Sequence, residues 1–132
     1  MLYVGVLALV GGGALAYPAA SKWWQIQSLP PAADRTVTYT ADVLPILEEH
    51  CYECHGDSHR KGGFNLDDRD MLFRGGKTGP VIEDGDSAGS GLIHRITAVF
   101  GDEPMPPRNK PQLTPEQIGV LRAWIDQGTQ WD

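Results

Sequence analysis

Apolar positions recur at helical spacing in three stretches of this chain. Val43, Leu44, Ile46 and Leu47 share one face ahead of Cys51, which predicts a helix from a cap at Thr40 to about Cys54. Pro45 is tolerated there only within the opening turns. Leu92, Ile93, Ile96 and Val99 follow Ser90, a second capping residue, and predict a short helix. The clearest pattern is the last. Thr114 as N-cap, Pro115 at the first helical position and Gln117 three residues after the cap open a helix that Gly128 ends. Its stripe of Ile118, Leu121, Trp124 and Ile125 reads as ordinary core, packed against the first helix. No alternating or β-branched run is present to make a central sheet. The expected class is all-α.

Leu2 to Ala20 adds nineteen residues without a charge. As a helix they would extend about 28 Å, enough for a bilayer's hydrocarbon core. A secretory signal is the competing reading, with Ala14-Leu15-Ala16 resembling a cleavage site. A signal, however, opens with basic residues and carries an apolar stretch of about 7–15, and no Lys or Arg precedes Lys22 here. The expectation is a transmembrane anchor, or uncleaved signal, over residues 1–24, with Lys22, Trp23 and Trp24 at the membrane boundary. Ala8, Gly12 and Ala16 recur every fourth residue and suit close packing on a partner membrane helix, although anchors are rich in such residues anyway. Residues 25–38, with Pro30-Pro31, read as a semi-extended tether reaching at most ~40 Å. Residues 39–132 read as one small domain, too short for a large core of its own.

Candidate chemistry concentrates in Cys51-Tyr52-Glu53-Cys54-His55, which reads C-x-x-C-H, the pattern that attaches a c-type haem by two thioether bonds. Positions i and i+3 share a helical face, so two sulfurs from one turn can meet two vinyl groups on one porphyrin edge. His55 then supplies a neutral imidazole nitrogen to the iron. The motif uses both cysteines of the chain, leaving no disulfide framework. Such a haem would also give a short chain a large apolar centre.

Two other uses of the cysteines compete. A zinc site could draw on Cys51, Cys54 and His50, His55 or His59, but structural zinc takes four ligands, commonly as two separated pairs, and here every histidine concerned lies within a few residues of the cysteines. A thioredoxin-like dithiol needs a neighbouring βαβ pattern, which is missing.

From Tyr39 onward the chain resembles the planctomycete-type monohaem cytochrome c domain, a class-I-like c-type cytochrome. The matching stretches are Asp42 to Leu47 leading into Cys51 to Gly56, Lys61 to Asp67, Gly85-Asp86 with Ser90 and Leu92, Met105-Pro106-Pro107, Leu113 to Glu116 and Leu121 to Gly128. The resemblance implies a small class-I-like fold wrapped around one covalent haem c, and a sixth iron ligand from Met105. Met105 lies some fifty residues beyond His55, enough chain to wrap to the other haem face, and Pro106-Pro107 would stiffen its loop. His94, Met71 and His59 are its rivals as ligand. A His/Met pair raises the reduction potential and leaves no open position on iron, which favours electron relay over catalysis.

Arg74-Gly75-Gly76-Lys77-Thr78-Gly79-Pro80 is a glycine-rich loop that would let backbone approach a large ligand, and its spacing fails that of a phosphate-binding loop. Arg60, Lys61, Arg74, Lys77 and Arg95 are candidates to neutralise haem propionates. The net charge of −6 excludes nucleic acid as a natural partner and favours a protein with a basic docking patch. The combined expectation is an electron carrier rather than an enzyme. It is membrane-anchored with the haem domain on the periplasmic face, and partnered by redox proteins, in particular subunits of a membrane complex touching the N-terminal helix. A haem enzyme or gas or redox sensor with an exchangeable sixth ligand is the alternative.

Overall fold

The computed structural model describes residues 17–56 and 58–132. Helices occupy about 45% of it. They are α1 (Tyr17–Gln27), α2 (Leu44–His50), α3 (Tyr52–His55), α4 (Arg69–Arg74), α5 (Gly91–Thr97) and α6 (Pro115–Asp126). A two-residue strand, β1 (His59–Arg60), pairs antiparallel with His55 and Gly56.

Two parts of the expected fold class need correction. The domain is not simply all-α, because long loops and the small antiparallel pairing at His55 and Gly56 separate short helices. The N-terminal transmembrane helix is also overturned: among the described residues no helix is long and apolar enough to cross a membrane. The helix that overlaps the expected span, α1, has 11 residues, about 16 Å of rise against a ~30 Å hydrocarbon core. It carries Ser21, Lys22, Gln25 and Gln27. Residues 1–16 of the expected span, including Ala8, Gly12 and Ala16, lie outside the described residues. Trp23 and Trp24 are exposed, at 54% and 69%.

The first predicted helix forms in pieces. Its opening turn, Tyr39–Val43, is π-helical, with Val43 N–H donating to Thr38 O at 3.3 Å and Leu44 N–H to Tyr39 O. Pro45 explains the widening, since it has no N–H to give and its ring crowds the carbonyl four residues back. Thr40 is not the cap. Asp42 instead accepts the Thr38 N–H at 2.8 Å. Cys51, at φ −125° and ψ −39°, breaks the helix again before α3.

α6 follows its sequence signals closely. Thr114 Oγ1 accepts the Gln117 N–H at 3.1 Å, and Gln117 Oε1 accepts the Thr114 N–H at 2.9 Å. Ile118, Leu121, Trp124 and Ile125 are buried, and the helix packs on α5 and on the 39–43 turn. Tyr39 stacks on Trp131 with centroids 3.7 Å apart, and Trp124 donates its indole N–H to Gln130 O at 2.7 Å. These contacts close the core around the start of α2.

Residues 29–38 lie along α6. Ala33 N–H donates to Gly119 O at 2.9 Å, Val37 N–H to Gln127 Oε1 at 3.0 Å, and Arg122 reaches Pro30 O. Gly119 admits this approach, because a Cβ there would sit 2.6 Å from Pro31 O. Leu29 and Val37 are buried in the core.

Candidate functional site

One cavity, of about 820 Å³, opens beside α3, within the ~300–1,000 Å³ typical of cofactor pockets. Cys51, Cys54, His55 and Met105 all line it. The structure therefore gathers in one place all four residues singled out from the sequence. Phe64, Leu66, Val81, Leu92, Ile96 and Phe100 supply much of the apolar wall.

The Cys-containing turn is delivered by α2 and α3. Cys51 N–H donates to Leu47 O at 2.9 Å, and Cys54 and His55 N–H both return to Cys51 O, at 3.2 and 2.9 Å. That local turn brings the two thiols to the same side. Both cysteines are free and partly buried. Burial, and next the neighbouring Cys54, push the Cys51 thiol up to about 12, so it stays protonated at neutral pH. Among the described residues no three His, Cys, Asp or Glu side chains are grouped to hold an ion. The zinc arrangement has no ligand set gathered for it.

His55 is half-buried, its ring edge-on to Phe64 at 5.4 Å. Desolvation depresses its pKa, against a smaller opposing pull from the backbone of Phe64 and Lys61. The ring is thus neutral at pH 7, the form that binds iron. Its Nδ1 is buried without a hydrogen-bond partner. A neutral imidazole at the cavity wall, two thiols one turn apart and an apolar cavity of this size fit a covalently held haem.

Met105 enters from a loop after α5, its N–H donating to Arg95 O at 3.1 Å. The rivals are differently occupied. His94 also lines the cavity, but its Nε2 lies 2.6 Å from Ala88 O and its ring rests edge-on against Phe100. Met71 Sδ accepts from Asn65 Nδ2 at 3.4 Å, and His59 is exposed on β1; neither lines the cavity. Of the five cationic candidates, Lys61, Lys77 and Arg95 line the cavity, whereas Arg60 and Arg74 do not.

The glycine-rich loop does approach the site through backbone, with Gly76, Lys77, Thr78 and Pro80 on the wall. Gly75 is required there: its φ is +77°, and a Cβ would fall 2.0 Å from Gly79 O. His50, named from the sequence only as a zinc candidate, is also a wall residue. Its Nδ1 sits 3.2 Å from Pro111 O, and because a carbonyl only accepts, Nδ1 is the donor of that contact. Its Nε2 is buried, with Glu49 Oε2 3.4 Å away but outside hydrogen-bond geometry. Its place directly before Cys51 was the available signal.

Residues 51–109 match the family model described as Planctomycete cytochrome C. The chain carries a planctomycete-type cytochrome c domain. The matched stretch starts at the first cysteine and includes His55 and Met105, while α6 lies beyond it. No curated protein matches the chain, and no solved structure does. The match supports a c-type cytochrome, and the family implies haem c at the C-x-x-C-H of this domain.

Proposed function

We propose that this cytochrome c domain is a one-electron relay, with Cys51 and Cys54 holding a single haem c and with His55 and Met105 as its axial ligands. The observation that carries the reading is the convergence of these four side chains on one apolar cavity. When bound, haem would supply one-electron redox chemistry. The chain's residues bind and orient it: the turn at Cys51 to His55 fixes two sulfurs and a neutral imidazole together, and the loop through Met105 brings a thioether to the same cavity. Phe64, Leu66, Leu92 and Ile96 exclude water, a lever on reduction potential. With His55 and Met105 both ligating, the iron would offer no open position to a substrate.

Covalent haem attachment supports a periplasmic setting for the domain. The net charge of −6 supports docking to a redox protein with a basic patch, in an encounter that weakens as salt rises. A larger redox complex is the natural place for such a relay.

The test is the visible spectrum of oxidised and reduced protein made in a host with c-type maturation machinery, beside Met105→Ala. A low-spin spectrum with a methionine charge-transfer band, lost in the variant, is expected. A high-spin spectrum, with carbon monoxide binding rapidly to the reduced wild type, would transfer the protein to the enzyme or sensor class.

A further inference from the structure

Residues 104–111, Pro-Met-Pro-Pro-Arg-Asn-Lys-Pro, contain four prolines, so half of this loop's backbone has no N–H to give. Within the loop only Pro107 O is served, by the Lys110 N–H at 2.8 Å. The carboxamide of Gln112 adds a donor from outside it. Nε2 lies 2.9 Å from Pro106 O, 3.0 Å from Pro107 O and 2.9 Å from Lys110 O. With two N–H bonds for three acceptors, one of them is shared.

The arrangement pins Met105 from both directions. On its N-terminal side, its own N–H is tied to Arg95 O of α5. On its C-terminal side, the carbonyl of the following residue, Pro106 O, is tied to Gln112. Gln112 is itself held in place, since Leu113 is buried and Thr114 is the N-cap of α6. The side chain therefore hangs the Met105 loop from the start of α6. The other ties from side chains lie at the exposed rim, beginning with Arg108 and Glu103, 3.5 Å apart on either side of Met105. Lys110 reaches Glu53 at 3.0 Å across an exposed rim, where water screens the pair, and His50 meets the loop only at Pro111 O.

We infer that Gln112 is a positioning residue for the sixth ligand, closing the Met105 loop so that the thioether stays at the haem site and competing small ligands are kept out. This rests on the assignment of Met105 as ligand made above. Moving Met105 away on its C-terminal side breaks the bond between Pro106 O and this amide.

The experiment uses the full chain with haem attached, as wild type, Gln112→Ala, Gln112→Glu and Met105→Ala. The readouts are the methionine charge-transfer band of the oxidised protein and the rate of carbon monoxide binding to the reduced protein, with far-UV circular dichroism alongside. Gln112→Ala is expected to weaken the band and to speed carbon monoxide binding about five- to tenfold, with the helical signal retained. Gln112→Glu preserves size but turns donors into acceptors facing three carbonyls, so its effect is expected to be at least as large. That ranking separates positioning from simple filling of space. Wild-type band and rate in both Gln112 variants, with the band lost in Met105→Ala, would overturn the positioning role alone, even if the variants melted earlier. A wild type without the band, unaltered by Met105→Ala, would overturn the ligand assignment and this inference with it.

Discussion

The Tyr39 hydroxyl lies 3.1 Å from the Tyr52 hydroxyl, joining the aromatic core to the second residue of the haem-attachment motif. Tyr39 is stacked on Trp131 and tilted against Trp124. The turn that presents Cys51 and Cys54 is thereby braced from behind by the C-terminal aromatic cluster.

Tyr52→Phe should cost about 1 kcal/mol in denaturant unfolding, and Tyr39→Phe a similar amount. The double variant should lose less than the sum, because both single changes remove the same bond. Burial first, and then the partner hydroxyl, raises the Tyr39 pKa above its ordinary 10.0. A raised native pKa stabilises below the unfolded value and loses that contribution as pH climbs past it. Stability should therefore fall above about pH 10, less steeply in Tyr39→Phe, as read from chemical unfolding midpoints across that range.

Asp42 behaves oppositely. Its hydrogen bond from Arg35, and next that from the Thr38 N–H, hold its carboxyl below the usual 3.8. A depressed native pKa stabilises above the unfolded value and is lost as pH falls through the native one. Asp42→Asn should lower the melting temperature slightly at pH 6, and the gap from wild type should close toward pH 3.

Gly75→Ala places a side chain where φ is +77° and Gly79 O would be 2.0 Å away. A loss of about 2 kcal/mol or more is expected from backbone strain and collision together, together with a lower yield of haem-loaded protein, because this turn forms part of the cavity wall. Gly62→Ala, with a φ of +66° but open space around it, should show the strain without the collision. Comparing the two melts separates the causes.

His94→Gln tests the bis-histidine alternative. With Nε2 already facing Ala88 O, the variant should keep the wild-type axial spectrum while losing about 1 kcal/mol of stability. Loss of the low-spin spectrum would place His94 on the iron.

Much of this was readable in the chain because it is local. The Thr114 to Gln117 capping box needs four consecutive residues and the C-x-x-C-H turn needs five, so tertiary context had little room to override either. α4 had local signals too, with Asp68 accepting the Met71 N–H at 2.9 Å and Gly75 at the other end, yet only six residues lie between. Periodicity needs longer runs than that. The π-turn before Pro45 was hidden for another reason: proline in an opening turn reads the same whether the preceding turn is regular or widened. The packing of residues 29–38 left even less trace. Leu29 and Val37 are isolated apolar residues in a proline-containing stretch, and only the groove along α6 gives them somewhere to be buried. The uncharged N-terminal stretch met the length rule for a membrane span, whereas the helix described at its end is short and polar.

The strap of residues 29–38 across α6 removes slack from the chain. A free tether would let the haem domain turn like a lamp on a cord, presenting any side to a partner. Here Ile26 also packs on the core and Ala33 is tied to Gly119, so α1 and the cavity keep a common bearing. A surface that gripped the exposed Trp23 and Trp24 would therefore set the direction of the cavity mouth as well. If the domain relays electrons as proposed, the strap would be what aims it.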